Sequence, residues 1–439
     1  MRDIFFVGFL IYAIYFTFKR PYIGVAAWIW IALTAPSQWA FGFSQSLRLN
    51  LTIVLVTALA YMFYRDKPKF VFTKLHFWVF AFWFWMLISS IFSLRIDDAY
   101  TWEKMIEFTK VVALFLFITM TVRRTHEVDT LIWAMVLSIS AYAGMEALKF
   151  LISGGGHRIV GRAGIIIDRN DLAVAINMCI PFVVYLWAKT EHKMLKLGLL
   201  GLLLLNVLAI IGTYSRGGFI GLCVLAIAFW LKSQRKILFL ILALILLPIG
   251  YGHAPEEWKE RQQTVETAAT EDGSFIGRLW AWKIATLIAL DNPMTGGGFK
   301  ATTDPVLWAT YAPDTPYFGP IETPPIPPEL IPKAAHNIYF QVMASAGFVG
   351  LFLFCCMLLS SLLQSLRNRI GSHSLKKGLN LESAIVLSLV GYGITGLNVS
   401  LAYFDLLYAI IGVIAVVGIQ KKQAETAPSG WAGRQNQRW

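Results

Sequence analysis

This sequence predicts an all-α polytopic membrane protein of about twelve spanning helices, twelve to thirteen by the count of its apolar runs. Three observations carry that prediction. Apolar residues make up 57% of the 439-residue chain and charged residues only 15%, whereas soluble domains carry about 25% charged residues. Apolar runs long enough to cross a hydrocarbon core of about 30 Å recur from one end to the other. The basic residues collect in short turns between those runs, as membrane orientation requires. A β-barrel would need short alternating segments instead. The net charge of +12 therefore belongs to membrane topology and does not call for nucleic acid.

In chain order the expected spans are roughly 4–18, 21–40, 47–64, 75–93, 103–122, 127–151, 171–188, 194–213, 217–231 and 236–252. Residues 253–335 interrupt them as a polar loop domain, and spans 336–365, 381–398 and 402–420 follow. The last two are short enough to be one broken helix. Met1–Phe18 has a charged start and an apolar run but no small-residue cleavage site, so it reads as a retained span. The polar tail 421–439, with its Pro and Gly, is expected to be disordered. Cys179, Cys223, Cys355 and Cys356 lie inside apolar spans without metal or disulfide spacing.

Five basic turns set the orientation: Lys67/Lys69/Lys74, Arg123/Arg124, Lys189/Lys193/Lys196, Lys232/Arg235/Lys236 and Arg367/Arg369/Lys376/Lys377. Counted by crossings, all fall on one side, which the positive-inside rule makes cytoplasmic. The 253–335 loop then faces outward, and its 11 acidic against 6 basic residues fit that side. Within it, Glu256–Thr270 and Ser274–Leu290 have helical composition. Ile276, Leu279, Trp280, Ile284, Leu287 and Ile288 form an apolar stripe suited to the membrane surface. Asp291-Asn292-Pro293 stops that helix, and Gly296-Gly297-Gly298 reads as a flexible turn. Eight prolines between Pro313 and Pro332 predict an extended, stiff segment able to act as a lid or cleft wall.

Several outer arginines have no role in orientation. Arg158, Arg162 and Arg169 flank a glycine-rich turn, Arg216 sits in Ser215-Arg216-Gly217-Gly218, and Arg278 follows Gly277. A guanidinium offers a rigid fork of donors that matches phosphate oxygens two at a time. Neighbouring glycines admit backbone N–H groups to an anion, and a helix start adds its dipole. A lone outer arginine also serves as a headgroup contact, the favoured reading for Arg158 and Arg169. Of the seven histidines, His336 stands at the mouth of a long apolar helix. The positive end of the helix dipole there favours neutral imidazole, the form a general base needs. The bland alternative is that it caps or anchors that helix. His157 and His253 have no evident partner. No His or Cys lies at zinc-ligand spacing from His336, and Asp168, Asn170 and Asp171 are the nearest candidates for a metal or sugar contact.

At these residues the chain resembles the O-antigen ligase family and its relatives, the O-antigen polymerases and protein O-oligosaccharyltransferases. The resemblance is carried by Ser215-Arg216-Gly217-Gly218, Gly277-Arg278-Leu279-Trp280-Ala281-Trp282, Gly296-Gly297-Gly298-Phe299, and His336-Asn337-Ile338-Tyr339-Phe340 running to Gly347-Phe348-Val349-Gly350. The N-terminal Arg20-Pro21-Tyr22-Ile23-Gly24 and Ala35-Pro36 are similar to a variant found beside exosortase systems.

The resemblance implies a metal-independent, inverting glycosyltransferase of GT-C type without cofactor. Its donor would be a glycan on undecaprenyl diphosphate and its acceptor a sugar hydroxyl of lipid A–core, met on the periplasmic face of a Gram-negative inner membrane among membrane lipids. It further implies His336 as the catalytic base and Arg216 and Arg278 as diphosphate ligands; Arg162, Arg158 and Asn337 stand beside them as lesser candidates for substrate binding. A different class, a transporter of lipid-linked glycans, would need ionisable groups in mid-membrane. The spans hold almost none there.

Overall fold

The computed structural model describes residues 2–39, 42–95, 97–161, 164, 166–233, 236–237, 273–370 and 379–426. Among them every regular element is helical. The α-helices are α1 (Arg2–Lys19), α2 (Pro21–Thr34), α3 (Leu49–Phe63), α4 (Lys74–Ile91), α5 (Asp98–Thr121), α6 (Thr125–Ile152), α7 (Arg169–Lys189), α8 (Lys193–Gly212) and α9 (Arg216–Lys232). They continue as α10 (Gly273–Asp291), α11 (Pro305–Tyr311), α12 (Ile338–Ile370), α13 (Leu381–Thr395) and α14 (Asp405–Thr426). Six helical spans among the described residues are long and apolar enough to cross a membrane: Lys74–Ile91, Thr125–Ile152, Arg169–Lys189, Lys193–Gly212, Ile338–Arg369 and Leu381–Asn398. Phe6–Lys19, Pro21–Thr34 and Leu49–Phe63 are shorter apolar helices. The expected span 236–252 and the stretch Glu256–Thr270 lie outside the described residues.

Polar side chains at helix starts accept the N–H groups that a first turn leaves unpaired. Asp97 takes the N–H of Tyr100 at 3.0 Å, Asp304 those of Val306 and Leu307, and Asn380 that of Ser383. Helices α7 and α14 form the centre of the bundle, with nearly every apolar side chain buried. The expected spans 381–398 and 402–420 are two separate helices, parted by a turn through Gly396–Asn398 and an irregular stretch to Phe404. Helix α14 also runs on to Thr426, where Lys421 pairs with Glu382 at 3.4 Å, so the start of the expected disordered tail is helical.

The loop domain corrects two further expectations. The stripe on α10 does not lie open to a membrane surface. Ile276, Trp280, Ile284 and Ile288 are buried with Trp308, Tyr311 and Met343 in a second apolar core. Local chain supplies the cover: α11 and the first turns of α12 bury the stripe, and Ile326 and Leu330 of the proline-rich segment pack onto it. That segment is strapped down by α10, with Trp280 Nε1 donating to Pro324 O at 2.9 Å. Lys283 Nζ donates to Thr315 O at 2.6 Å and to Thr323 Oγ1 at 3.1 Å.

The Gly296–Gly298 turn is likewise fastened, not flexible. Helix α12 breaks at Ala346 and Gly347, the latter at φ 66°, which leaves carbonyls without their helical partners. The Gly297 N–H donates to Ala344 O at 2.8 Å and the Gly298 N–H to Ser345 O at 3.1 Å. Trp85 Nε1 reaches both Met294 O and Ala346 O at 3.1 Å. All three glycines are buried. A methyl group at Gly347 would stand 2.5 Å from Pro293 O, in a left-handed conformation that itself costs an L residue about 1–2 kcal/mol. Gly347→Ala is therefore expected to destabilise the protein by more than that strain alone. Thermal melting of the purified full chain measures it, and a melting temperature equal to wild type would refute the interlock.

Candidate functional site

Four parts of the chain meet at one end of the bundle. The first is the turn into α7, where Asp168 Oδ1 accepts the N–H of Asn170 at 2.6 Å. The second is the start of α9. Ser215 caps that helix by accepting the Gly218 N–H at 3.1 Å, and its hydroxyl donates to Asn170 Oδ1 at 2.7 Å. Arg216, the first residue of α9, is half-buried. The third is α10, which carries Arg278. The fourth is the approach to α12, which carries His336.

A short segment after α13 joins these parts. Asn398 Oδ1 accepts a hydrogen bond from Arg278 Nη1 at 3.0 Å. Its side chain also lies against the α9 start, where a methyl group at Gly217 would stand 2.6 Å from Asn398 Cγ. Two residues on, Ser400 Oγ accepts the His336 N–H at 3.0 Å. Arg216, Arg278 and His336, separated by up to 120 positions in the chain, are thus anchored around three consecutive residues.

His336 is not the cap of α12. It stands at φ 43°, in the left-handed region that is uncommon for residues other than glycine, though less so for Asn, Asp and His. Asn337 does the capping: its Oδ1 accepts the N–H of Tyr339 at 2.9 Å and lies 3.4 Å from that of Phe340. Asn337 is buried in this role. Trp282 holds the residue before His336, donating from Nε1 to Ala335 O at 2.6 Å, and its ring stacks on Phe340 at 5.2 Å. Neighbours on three sides therefore fix the imidazole's backbone. The imidazole is half-buried. Burial and the charge of Arg278 push its pKa below the ordinary histidine value; Asp168 opposes them and Lys333 adds to them. The neutral imidazole expected from the helix dipole is thus favoured by desolvation and a guanidinium.

The remaining arginines divide. Arg158 is exposed; its turn is tied toward the α9 start by the Ile159 N–H bonding Gly212 O and by Tyr214 Oη donating to Gly155 O at 2.9 Å. Arg169 is the first residue of α7. Arg162 lies outside the described residues, as does His253. His157, expected to lack a partner, bonds Glu146 through Nε2 at 2.7 Å. Among the described residues no three His, Cys, Asp or Glu side chains gather into a metal-holding group. An apolar cavity of about 270 Å³ lies between α1, α2, α6 and the turn into α7. Ile166 and Leu172 line it, on either side of the Asp168 and Asn170 that belong to the site.

Sequence reasoning missed Asn398 and Ser400. Their signal was slight: two polar residues at the end of an apolar run, where a turn needs no other explanation. Together, the apolar helices describe a multi-pass membrane protein with a basic, histidine-bearing cluster at one end of its bundle. Residues 201–355 match the family described as O-Antigen ligase. Residues 1–191 match a family of unknown function, DUF5935. No curated protein matches the chain. The 201–355 match contains Arg216, Arg278 and His336, whereas Asp168 and Asn170 come from the other matched segment and Asn398 and Ser400 from neither.

Proposed function

We propose that the protein transfers a polysaccharide from undecaprenyl diphosphate to a sugar hydroxyl of lipid A–core, on the periplasmic face of the inner membrane, as a metal-independent, inverting enzyme of GT-C type with about twelve spans. The observation that carries this reading is the convergence of Arg278, the α9 start and His336 on Asn398–Ser400. In the step, neutral His336 takes the proton of the acceptor hydroxyl. The acceptor oxygen attacks the anomeric carbon from the face opposite the diphosphate. The anomeric C–O bond breaks, its electron pair leaves with the diphosphate, and the configuration inverts.

Arg216 and Arg278 hold that diphosphate and offset the charge that grows on it. Preorganised positive groups at a departing oxygen supply much of the barrier reduction in such reactions. A diphosphate is already a good leaving group, so an acid to protonate it is dispensable. The two guanidiniums do the work that a divalent metal ion does in other sites of this chemistry.

The test is to incubate purified protein with a lipid-linked glycan and, in turn, lipid A–core, a second lipid-linked glycan, and a protein acceptor. Transfer to lipid A–core that survives a chelator is expected. Transfer only to another lipid-linked glycan would make the protein a polymerase, and transfer only to protein an oligosaccharyltransferase. Strict metal dependence would overturn the arginine mechanism.

A further inference from the structure

We infer that Asn398 is a positioning residue that holds the two arginines in register for a diphosphate, an assignment that rests on the proposed donor chemistry. Its amide does two things at once. The carbonyl end fixes one arm of Arg278 at 3.0 Å. The rest of the side chain fills the space over Gly217 so closely that it leaves no room for a Cβ there. The residue thereby sets the distance between α10 and the first turn of α9, the two elements that carry Arg278 and Arg216.

The choice of an amide matters electrically. A carbonyl oxygen orients a guanidinium without cancelling its charge, so the bond from Asn398 does not itself weaken Arg278's attraction for an anion. A carboxylate in the same place would orient it equally well but offset that charge. The neighbouring segment supports a positioning function. Ser400 holds the His336 N–H, and Ala402 N–H bonds Gln341 Oε1 at 3.0 Å on α12. Residues 398–402 thus form a brace along one side of the site.

The experiment uses the full chain in detergent and undecaprenyl diphosphate as the probe, alongside steady-state transfer. Asn398→Leu keeps the volume and removes the acceptor; Asn398→Asp keeps the acceptor and adds a negative charge. Both are expected to weaken binding of undecaprenyl diphosphate about tenfold, the scale of one hydrogen bond to a charged group. In transfer, the donor KM should rise by a similar factor while the acceptor KM stays at its wild-type value. Combining Asn398→Leu with Arg278→Ala should be no worse than Arg278→Ala alone, because residues acting through one another are not additive.

A merely structural residue would give additive losses and lower the yield of folded protein equally for both substrates. The assignment falls if either folded variant binds within about twofold of wild type, well inside the loss of one such bond, or if the double variant is additive. Wild-type protein that binds undecaprenyl diphosphate but transfers no glycan would overturn the proposed function and leave this assignment to be judged by binding alone. Wild-type protein that does not bind it would overturn both.

Discussion

His336→Asn abolishes transfer while leaving the protein folded: this is the largest effect expected from the site. The loss should lie in the range of about 10²–10⁴-fold, as for removal of a general base. Asparagine is the informative replacement because His336 is held at φ 43°, a conformation that Asn tolerates and Ala does not. An alanine variant would mix lost chemistry with backbone strain. The pH profile supplies an independent check. Because burial and Arg278 depress the imidazole's pKa, the wild-type rate should hold steady as pH falls through 6.5 and decline only below it. The variant's residual rate should lack that decline. Near wild-type transfer by a correctly melting His336→Asn would remove His336 from the reaction.

Arg216→Lys should fail to rescue what Arg216→Ala loses, and this is the second large effect. Loss of one preorganised donor to a developing anion costs about 10²–10³-fold, and the lysine variant should recover less than a tenth of the difference, because an ammonium cannot offer the paired donors of a guanidinium. The geometry makes the position unforgiving. Gly217 abuts Asn398 and Gly218 abuts Ala173, so the first turn of α9 is held between its neighbours and cannot shift to let a different cation reach the same point. Steady-state transfer at saturating acceptor, with donor varied, measures the effect. A lysine variant at wild-type rate would show that charge alone suffices there.

Much of this was legible in the sequence, for physical reasons that differ by residue. Hydrophobic runs must be helical in lipid, so the α-helices followed from composition and spacing. Arg216, Arg278 and His336 stood out because charge beside glycine at the ends of apolar runs has few structural uses. Asn337 was marked as a lesser ligand, yet it spends its side chain on the α12 cap. Its pairing with a left-handed His336 depends on a φ angle that no local pattern encodes. The α10 stripe was read correctly as apolar and wrongly as lipid-facing. The sequence shows which face is greasy, but not that the following segments, α11, the start of α12 and Ile326, fold back to cover it. Asn398 was silent for the same reason: its meaning comes from Arg278, 120 positions earlier.

The glycine run at 296–298 was misjudged most plainly, since three glycines in a row ordinarily loosen a chain. Here their N–H groups mend the gap at Ala344 and Ser345. The seam is sewn from main-chain amides with the Trp85 indole across it, so its hydrogen bonds do not depend on the side chains at 344 and 345. Residues 344 and 345 are themselves buried, so only small replacements would fit there and keep the stitch. One added carbon at Gly296, whose neighbour would be Gly347 N at 2.6 Å, would tear it. Added bulk should thus be poorly tolerated on both sides of the seam.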